Sequence, residues 1–215
     1  MKTISIIQAL RTQHKTMLGD FERKYTPFQI LVATVMSART KDSTTMPLAE
    51  KMFQKYKAPR DFVSLSVEQI EKLIFPVGFY RIKARSIKKL CEILIEKYHG
   101  NVPDTLEQLI ELPGVGRKTA NCVLAYAFKK PCIPVDIHVH RISNRIGLVK
   151  TKTPEETERE LMNVVPRKYW LDINELFVVH GQNVCLPRKP MCGNCVIRRL
   201  CNYGELAHVG KSTEA

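Results

Sequence analysis

Long apolar runs are what this 215-residue chain most plainly lacks. The longest, Ile30 to Met36, has seven residues and includes Thr34, far short of the ~18 needed to span a bilayer. Met1 to Lys15 offers only Ile4, Ile6 and Ile7 as an apolar stretch. It has no secretory core segment and no small-residue cleavage site. The expected location is therefore the cytoplasm, on the nucleoid of a prokaryote, or the nucleus of a eukaryote. Thiols stay reduced in those compartments, so the seven cysteines are not read as disulfides. Acidic charge is also scarce. Asp and Glu number 21 against 34 Lys and Arg, giving a formal charge of +13 and a pI near 9.5. That excess favours an anionic partner, nucleic acid first among them. Alternation of apolar and polar residues over strand length is missing as well. So are low-complexity segments and repeats at a fixed period.

What is present is helical spacing almost everywhere. The clearest stretch is Arg81 to Tyr98, with Ile82, Ile87, Leu90, Cys91, Leu94, Ile95 and Tyr98 expected on one side and Gly100 ending the helix. Thr26-Pro27 reads as a cap followed by a first turn. Ser66 with Gln69, and Asp104 with Glu107, read as capping boxes. Thr153-Pro154-Glu155-Glu156 combines a cap, a proline and an acidic first turn. The fold class expected is all-α, with nine or ten short helices. Pro131 to Pro134 is the best candidate for a crossing between two halves.

Leu106 to Leu112 and Arg117 to Phe128 read as two helices joined by Pro113-Gly114-Val115-Gly116. Two glycines in four residues permit positive φ and let backbone approach a ligand closely. The N–H groups of the loop and of the second helix then form a ready site for a DNA phosphate, a contact that positions a duplex without reading it. Val115 is expected to plug the gap between the helices. Lys118 falls in the first turn, where the helix dipole disfavours its charged form; burial under DNA would act the same way. A neutral amine there can attack C1′ of a nucleotide and displace the base. Asp136 lies eighteen positions on. It can take a proton or stabilise positive charge on the sugar, and it can also cap a helix running to Ile146. The plain alternatives are a phosphate contact for Lys118 and a cap for Asp136. His138, Arg141 and Arg145 follow on the same segment, and the arginines there can hold phosphates.

Cys185, Cys192, Cys195 and Cys201 are spaced C-x6-C-x2-C-x5-C. Four thiolates within seventeen residues suit a metal centre. Zinc is the generic alternative, but it usually takes two close pairs, and the asymmetric spacing suits a [4Fe–4S] cluster better. Arg188, Lys189, Arg198 and Arg199 lie within the loop, so the cluster is expected to shape a basic surface. Cys91 and Cys122 are expected as buried apolar residues.

With these strings in place, the chain resembles endonuclease III, the bifunctional glycosylase and lyase of the helix-hairpin-helix superfamily. The resemblance runs from about Pro27 to Cys201. It rests on Leu112-Pro113-Gly114-Val115-Gly116-Arg117-Lys118-Thr119-Ala120, on Val135-Asp136 with His138 and Arg141, and on the four cysteines. It implies two helical domains with a DNA cleft between them. One is a six-helix barrel over residues 22–131 carrying the hairpin; the other joins 1–21 to 132–215 and holds the [4Fe–4S] loop at 185–201. It implies Lys118 as nucleophile, Asp136 as essential partner and the four cysteines as cluster ligands. DNA contacts are implied for Leu112, Gly114, Val115, Gly116, Arg117, Thr119, His138 and Arg141, and for Arg39 and Phe79. The implied partner is double-stranded DNA with damaged or abasic nucleotides, bound by a monomer that uses no membrane. The implied reaction is removal of oxidised pyrimidines of the thymine glycol type, then Schiff base formation and β-elimination, with the nucleotide flipped out of the stack.

Three positions depart from the family pattern. Ser37-Ala38-Arg39-Thr40 has arginine where the family has glutamine, the residue thought to fill the gap left by the flipped base. Arg39 can fill it with planar donors facing the orphaned base. Phe79 stands in place of the wedge leucine and can intercalate. Ile137 replaces the threonine after the aspartate. Two other readings compete. One is a mismatch glycosylase acting on uracil or thymine opposite guanine, which Arg39 keeps open, or on adenine, which Lys118 and the chain length count against. The other is a DNA-binding module without catalysis, which the presence of both Lys118 and Asp136 opposes.

Overall fold

The computed structural model describes residues 2–14 and 24–204. Among these residues there are helices and turns and no strand. Eleven α-helices occur among the described residues, two of them, Pro59–Val63 and Leu106–Ile110, only five residues long. Backbone contacts divide the chain into two compact units, Asp20–Lys130, and Met1–Gly19 together with Pro131–Ala215. The tail beyond Ala207, expected to be loosely held, lies outside the described residues.

The inserted unit holds α2 (Pro27–Ser37), α3 (Asp42–Lys55), α4 (Pro59–Val63), α5 (Val67–Ile74), α6 (Tyr80–Tyr98), α7 (Leu106–Ile110) and α8 (Arg117–Phe128). Helix α2 contains the longest apolar run of the chain and is buried from Phe28 to Ala33 and again at Val35 and Met36. A helix apolar all round must be covered on several sides, and α3, α6 and α8 all pack on it. Its start is fixed by a capping box. Gln29 N donates to Thr26 Oγ1 and Thr26 N donates to Gln29 Oε1. The Ser66–Gln69 box is present too, at the start of α5. The expected Asp104 cap is displaced by one residue. Thr105 is extended and accepts from Gln108 N, while Asp104 pairs with Lys130 at 2.7 Å. Helix α7 ends at Ile110 rather than Leu112, with Leu112 N bonded to Leu109 O.

Helix α6 corrects another expectation. Ile82 is 62% exposed, and the buried stripe runs through Lys83, Ala84, Ile87, Leu90, Cys91 and Leu94. The steps from 83 to 87, 90 and 94 are those of a helix face, and Ile82 lies off that line. Gly100, at φ 86, closes this helix with its N–H on Leu94 O at 2.8 Å.

The other unit holds α1 (Lys2–Gln13), α9 (Ile137–Ile146), α10 (Pro154–Val164) and α11 (Trp170–Asn183), with 3₁₀ turns at Arg167–Tyr169, Cys192–Asn194 and Arg198–Leu200. Its core gathers Ile6, Ile7 and Leu10 from α1 with Val139, Ile142 and Ile146 from α9 and Leu176 and Phe177 from α11. Helix α1 is bonded here to residues late in the sequence. Lys2 Nζ donates to Ile146 O and Asn202 Oδ1, Gln13 Nε2 donates to Asn194 O, and Arg11 pairs with Asp172 at 2.7 Å.

Candidate functional site

In the inserted unit, the hairpin between α7 and α8 is built as a tight turn. Val115 N bonds to Leu112 O at 3.1 Å, and both side chains are buried, Leu112 to 2% exposure. Any ligand contact by these two residues must therefore use the backbone. Thr119 is also buried, and its side chain faces inward. The two glycines do different work. Gly114 has φ +80, and a Cβ on it would come 3.0 Å from Ser86 Cβ, so the fold itself demands glycine. Gly116 is the N-cap of α8 at φ −91 and ψ 175, with nothing within 4 Å of where a Cβ would stand. The protein's own packing gives Gly116 no reason to be glycine. Arg117 and Lys118, the first two residues of α8, are exposed beside it. The helix therefore presents its N-terminal backbone, an absent side chain and two exposed cationic residues at one end.

A second feature of the same unit brings Arg39 and Phe79 together. Ser37-Ala38-Arg39-Thr40 forms a turn closed by Thr40 N on Ser37 O at 2.9 Å, with Ala38 at φ −55, ψ 118 and Arg39 at φ 56. That is the type II pattern, which ordinarily wants glycine or asparagine at its third position. Phe79 precedes α6 at φ 58 and ψ 30 and is 59% exposed. A bulky residue in this region is a true outlier. The Arg39 guanidinium lies 6.0 Å from the centre of the Phe79 ring. Sequence reading named both residues but missed Lys83, whose Nζ donates to Met36 O, Ala38 O and Thr40 Oγ1. The signal was a lysine on the apolar stripe of α6.

In the other unit, Asp136 is the N-cap of α9. Its Oδ1 accepts from His138 N and Val139 N, each at 2.8 Å. Ile137, the first residue of the helix, is 71% exposed. Arg141 NH2 donates to Cys185 O at 2.9 Å, Gly181 O at 3.2 Å and His138 Nδ1 at 3.1 Å. A guanidinium only donates, so that ring nitrogen accepts. Burial pulls the pKa of His138 below its usual value, against the raising influence of Asp136. Gly181 leaves room for this ring, since a Cβ there would lie 2.6 Å from His138 Nδ1. Arg145 also bonds inward. It donates to Leu186 O at 2.8 Å and Pro187 O at 2.6 Å, approaches Cys185 Sγ at 3.4 Å and lies over the Tyr203 ring. The bonds of these two arginines hold the cysteine loop on α9.

Cys185, Cys192, Cys195 and Cys201 line one pocket together with Ile142, Arg145 and His180. Among the described residues, no three His, Cys, Asp or Glu side chains are grouped closely enough to hold a single metal ion. Burial raises the Cys195 thiol to about 11, and the other three cysteines push the same way. Burial, and then Cys185 and Cys192, also raise Cys201. Backbone N–H groups near Ile197, Tyr203 and Gly204 oppose these shifts. Four thiols that hinder one another's ionisation are a donor set suited to a cationic centre, which removes that repulsion. Cys91 and Cys122 are buried in helices α6 and α8.

The HhH-GPD superfamily of base excision DNA repair proteins matches residues 32–167. Endonuclease III of Thermotoga maritima is 48% identical over 177 residues, covering 82% of this chain and 83% of that protein. Endonuclease III of Escherichia coli K12 is 38% identical over 206 residues, covering 95% and 96%. A trapped endonuclease III–DNA covalent intermediate aligns with a TM-score of 0.86 at 34% identity, over 97% of this chain and 99% of that one. A thermostable thymine-DNA glycosylase aligns with a TM-score of 0.80 at 27% identity, over 94% of each chain.

Proposed function

The chain belongs to the HhH-GPD superfamily and, within it, to the endonuclease III family, and from that premise we propose that Lys118 is its nucleophile, Asp136 its essential carboxylate and an oxidised pyrimidine in duplex DNA its substrate. Its activity is that of a DNA glycosylase and abasic-site lyase of base excision repair. No helix among the described residues is long and apolar enough to cross a membrane. The setting we propose is the cytoplasm, where the chain acts as a monomer on the chromosome.

The observation that carries the assignment of the site is the end of α8. Gly116 is a glycine that the fold does not need, and it opens space beside exposed Lys118. Backbone that must meet a phosphate at van der Waals distance explains both. The reaction then runs through the lysine. Its neutral amine forms a bond to C1′ as the bond from C1′ to the base breaks and the base leaves with the electron pair. One proton then leaves the new C1′-bound nitrogen, the C1′–O4′ bond breaks with its pair going to O4′, which takes up a proton, and an iminium is left between Lys118 and C1′. Loss of a proton from C2′ expels the 3′ phosphate, and water frees the lysine. Asp136, with Oδ1 held by two backbone donors, supplies negative charge that stabilises the cationic sugar.

The donor set at 185–201 fits a [4Fe–4S] cluster. Four thiols line one pocket, and their asymmetric spacing, with only Cys192 and Cys195 as a close pair, suits several irons better than a single zinc. When bound, the cluster would hold this loop folded, and Arg141 and Arg145 tie the loop to the helix that Asp136 caps. Iron and acid-labile sulfide analysis of the purified protein tests this assignment.

Arg39 supports a second reading, a glycosylase for thymine or uracil opposite guanine, since arginine donors can address an orphaned guanine. One experiment separates the readings. Borohydride should trap a covalent adduct on duplexes carrying thymine glycol, and Lys118→Ala should abolish the adduct while duplex binding persists. Base release from a thymine–guanine mismatch with no adduct would establish the second reading and reduce Lys118 to a phosphate contact.

A further inference from the structure

We propose that Lys83 and Thr40 are positioning residues that lock Arg39 and Phe79 into a single probe for the disrupted base pair. The proposal rests on the reading of Arg39 and Phe79 as the side chains that enter the duplex.

Arg39 and Phe79 lie forty residues apart in sequence, each in a left-handed backbone conformation that its side chain disfavours. Such residues persist only where their surroundings over-determine them. Here the surroundings are a small polar network. Lys83 Nζ donates to Met36 O at 2.7 Å and Ala38 O at 2.6 Å, carbonyls at the end of α2 and within the turn that carries Arg39. It also bonds Thr40 Oγ1 at 3.2 Å, and the same oxygen accepts from Gly78 N at 3.1 Å. Gly78 immediately precedes Phe79. One threonine oxygen thus joins the two turns, and one lysine holds that threonine and the turn of Arg39 to helix α6.

A core role alone does not account for Lys83. It lies in register with Ile87, Leu90 and Leu94 on the buried stripe of α6, where an apolar side chain would pack without the penalty of burying a charge. Burial brings its pKa down to about 8, so the ammonium remains mostly charged at neutral pH and keeps three hydrogens to donate. One is used at the end of α2 and two on the turn that carries Arg39, where Thr40 joins it to Gly78. Gly78 completes the junction, because a Cβ on it would stand 3.1 Å from Thr40 Oγ1 and 3.4 Å from Arg39 O. The cation of Arg39, 6.0 Å from the centre of the Phe79 ring, then makes one paired unit, apolar on one side and rich in donors on the other. Such a unit can fill an emptied base position and wedge the neighbouring step together.

The test compares the full-length protein with Lys83→Met, with the double variant Arg39→Ala/Phe79→Ala, and with the triple variant. The substrates are a thymine glycol duplex and a duplex with a pre-formed abasic site. Lys83→Met should lower kcat for thymine glycol release by about 10²-fold, as misplacement of a positioning group by an ångström does, with KM little changed. Cleavage at the abasic site, which has no base to unstack, should fall much less. In the Arg39→Ala/Phe79→Ala background, Lys83→Met should cause no further loss. If Lys83→Met excises like the wild type, or if its loss persists undiminished in that background, the positioning role is overturned. If instead Arg39→Ala/Phe79→Ala excises normally, the reading of these two as duplex-entering residues is what fails. Should Lys83→Met not fold, Thr40→Val, which removes the shared oxygen at nearly constant volume, carries the same comparison.

Discussion

Asp136 has a structural duty and a proposed chemical one, and ordinary substitutions can separate them. Its Oδ1 takes two backbone N–H groups at the start of α9, so removing the side chain should cost about 1 kcal/mol of stability. Asparagine ranks with aspartate as a cap but brings no negative charge to a cationic sugar. Asp136→Asn should therefore unfold in urea at the wild-type midpoint, while Asp136→Ala shifts it down by that amount. Both should lose base excision and borohydride trapping. Wild-type trapping by Asp136→Asn would reduce this residue to a helix cap. The same logic of paired duties applies at the hairpin, where Leu112, Val115 and Thr119 carry the motif as buried side chains while Gly114, Gly116, Arg117 and Lys118 are exposed.

At the scale of elements, the hairpin makes its two glycines separable. Gly114→Ala forces a Cβ onto a residue at φ +80 and to 3.0 Å from Ser86 Cβ, which should destabilise the fold by about 1–3 kcal/mol. Gly116→Ala meets no protein atom and keeps an allowed backbone, so its unfolding should match the wild type within about 0.5 kcal/mol. Its affinity for undamaged duplex should nonetheless drop about tenfold, since the methyl blocks the approach of a phosphate. Calorimetry and a binding titration on both variants check this; unimpaired DNA binding by Gly116→Ala would remove the main support for the proposed site. Much at this scale was legible in the sequence. The caps at Thr26, Ser66 and Thr153 and the helix from Arg117 to Phe128 are local patterns, and the structure contains them. What sequence missed is non-local. The Asp104 cap gave way to Thr105 because Asp104 pairs with Lys130. Lys83 takes the buried line in place of Ile82 because its ammonium is bonded to Met36 O, Ala38 O and Thr40 Oγ1, more than forty residues away. The inward bonds of Arg141 and Arg145 depend on carbonyls forty residues away, and no spacing rule contains those.

On the scale of the whole molecule, the controlling quantity is charge. The formal excess of +13 survives the ion pairs seen among the described residues, because each such pair, as in Lys97–Glu111 and Lys89–Glu92, consumes one cation and one anion. An excess of that size favours any duplex, damaged or not, and makes affinity fall with salt as phosphate counterions are released. The slope of log affinity against log salt should approach −0.9 for each phosphate neutralised, so about six contacts would cost roughly 10³-fold between 50 and 200 mM. The lesion-specific increment has another origin. If Arg39 and Phe79 engage the emptied base position, they touch bases rather than phosphates, and stacking releases no counterions. Affinity for a thymine glycol duplex and for its undamaged counterpart should therefore fall in parallel, with their ratio nearly constant across the salt range. Phe79→Ala should lower that ratio and leave the slope unchanged, whereas Arg117→Ala should flatten the slope by about one phosphate and leave the ratio unchanged. Titrations of both duplexes at four or five salt concentrations decide it. A ratio that collapses with salt would place lesion recognition in the phosphate contacts and take it away from the Arg39–Phe79 pair.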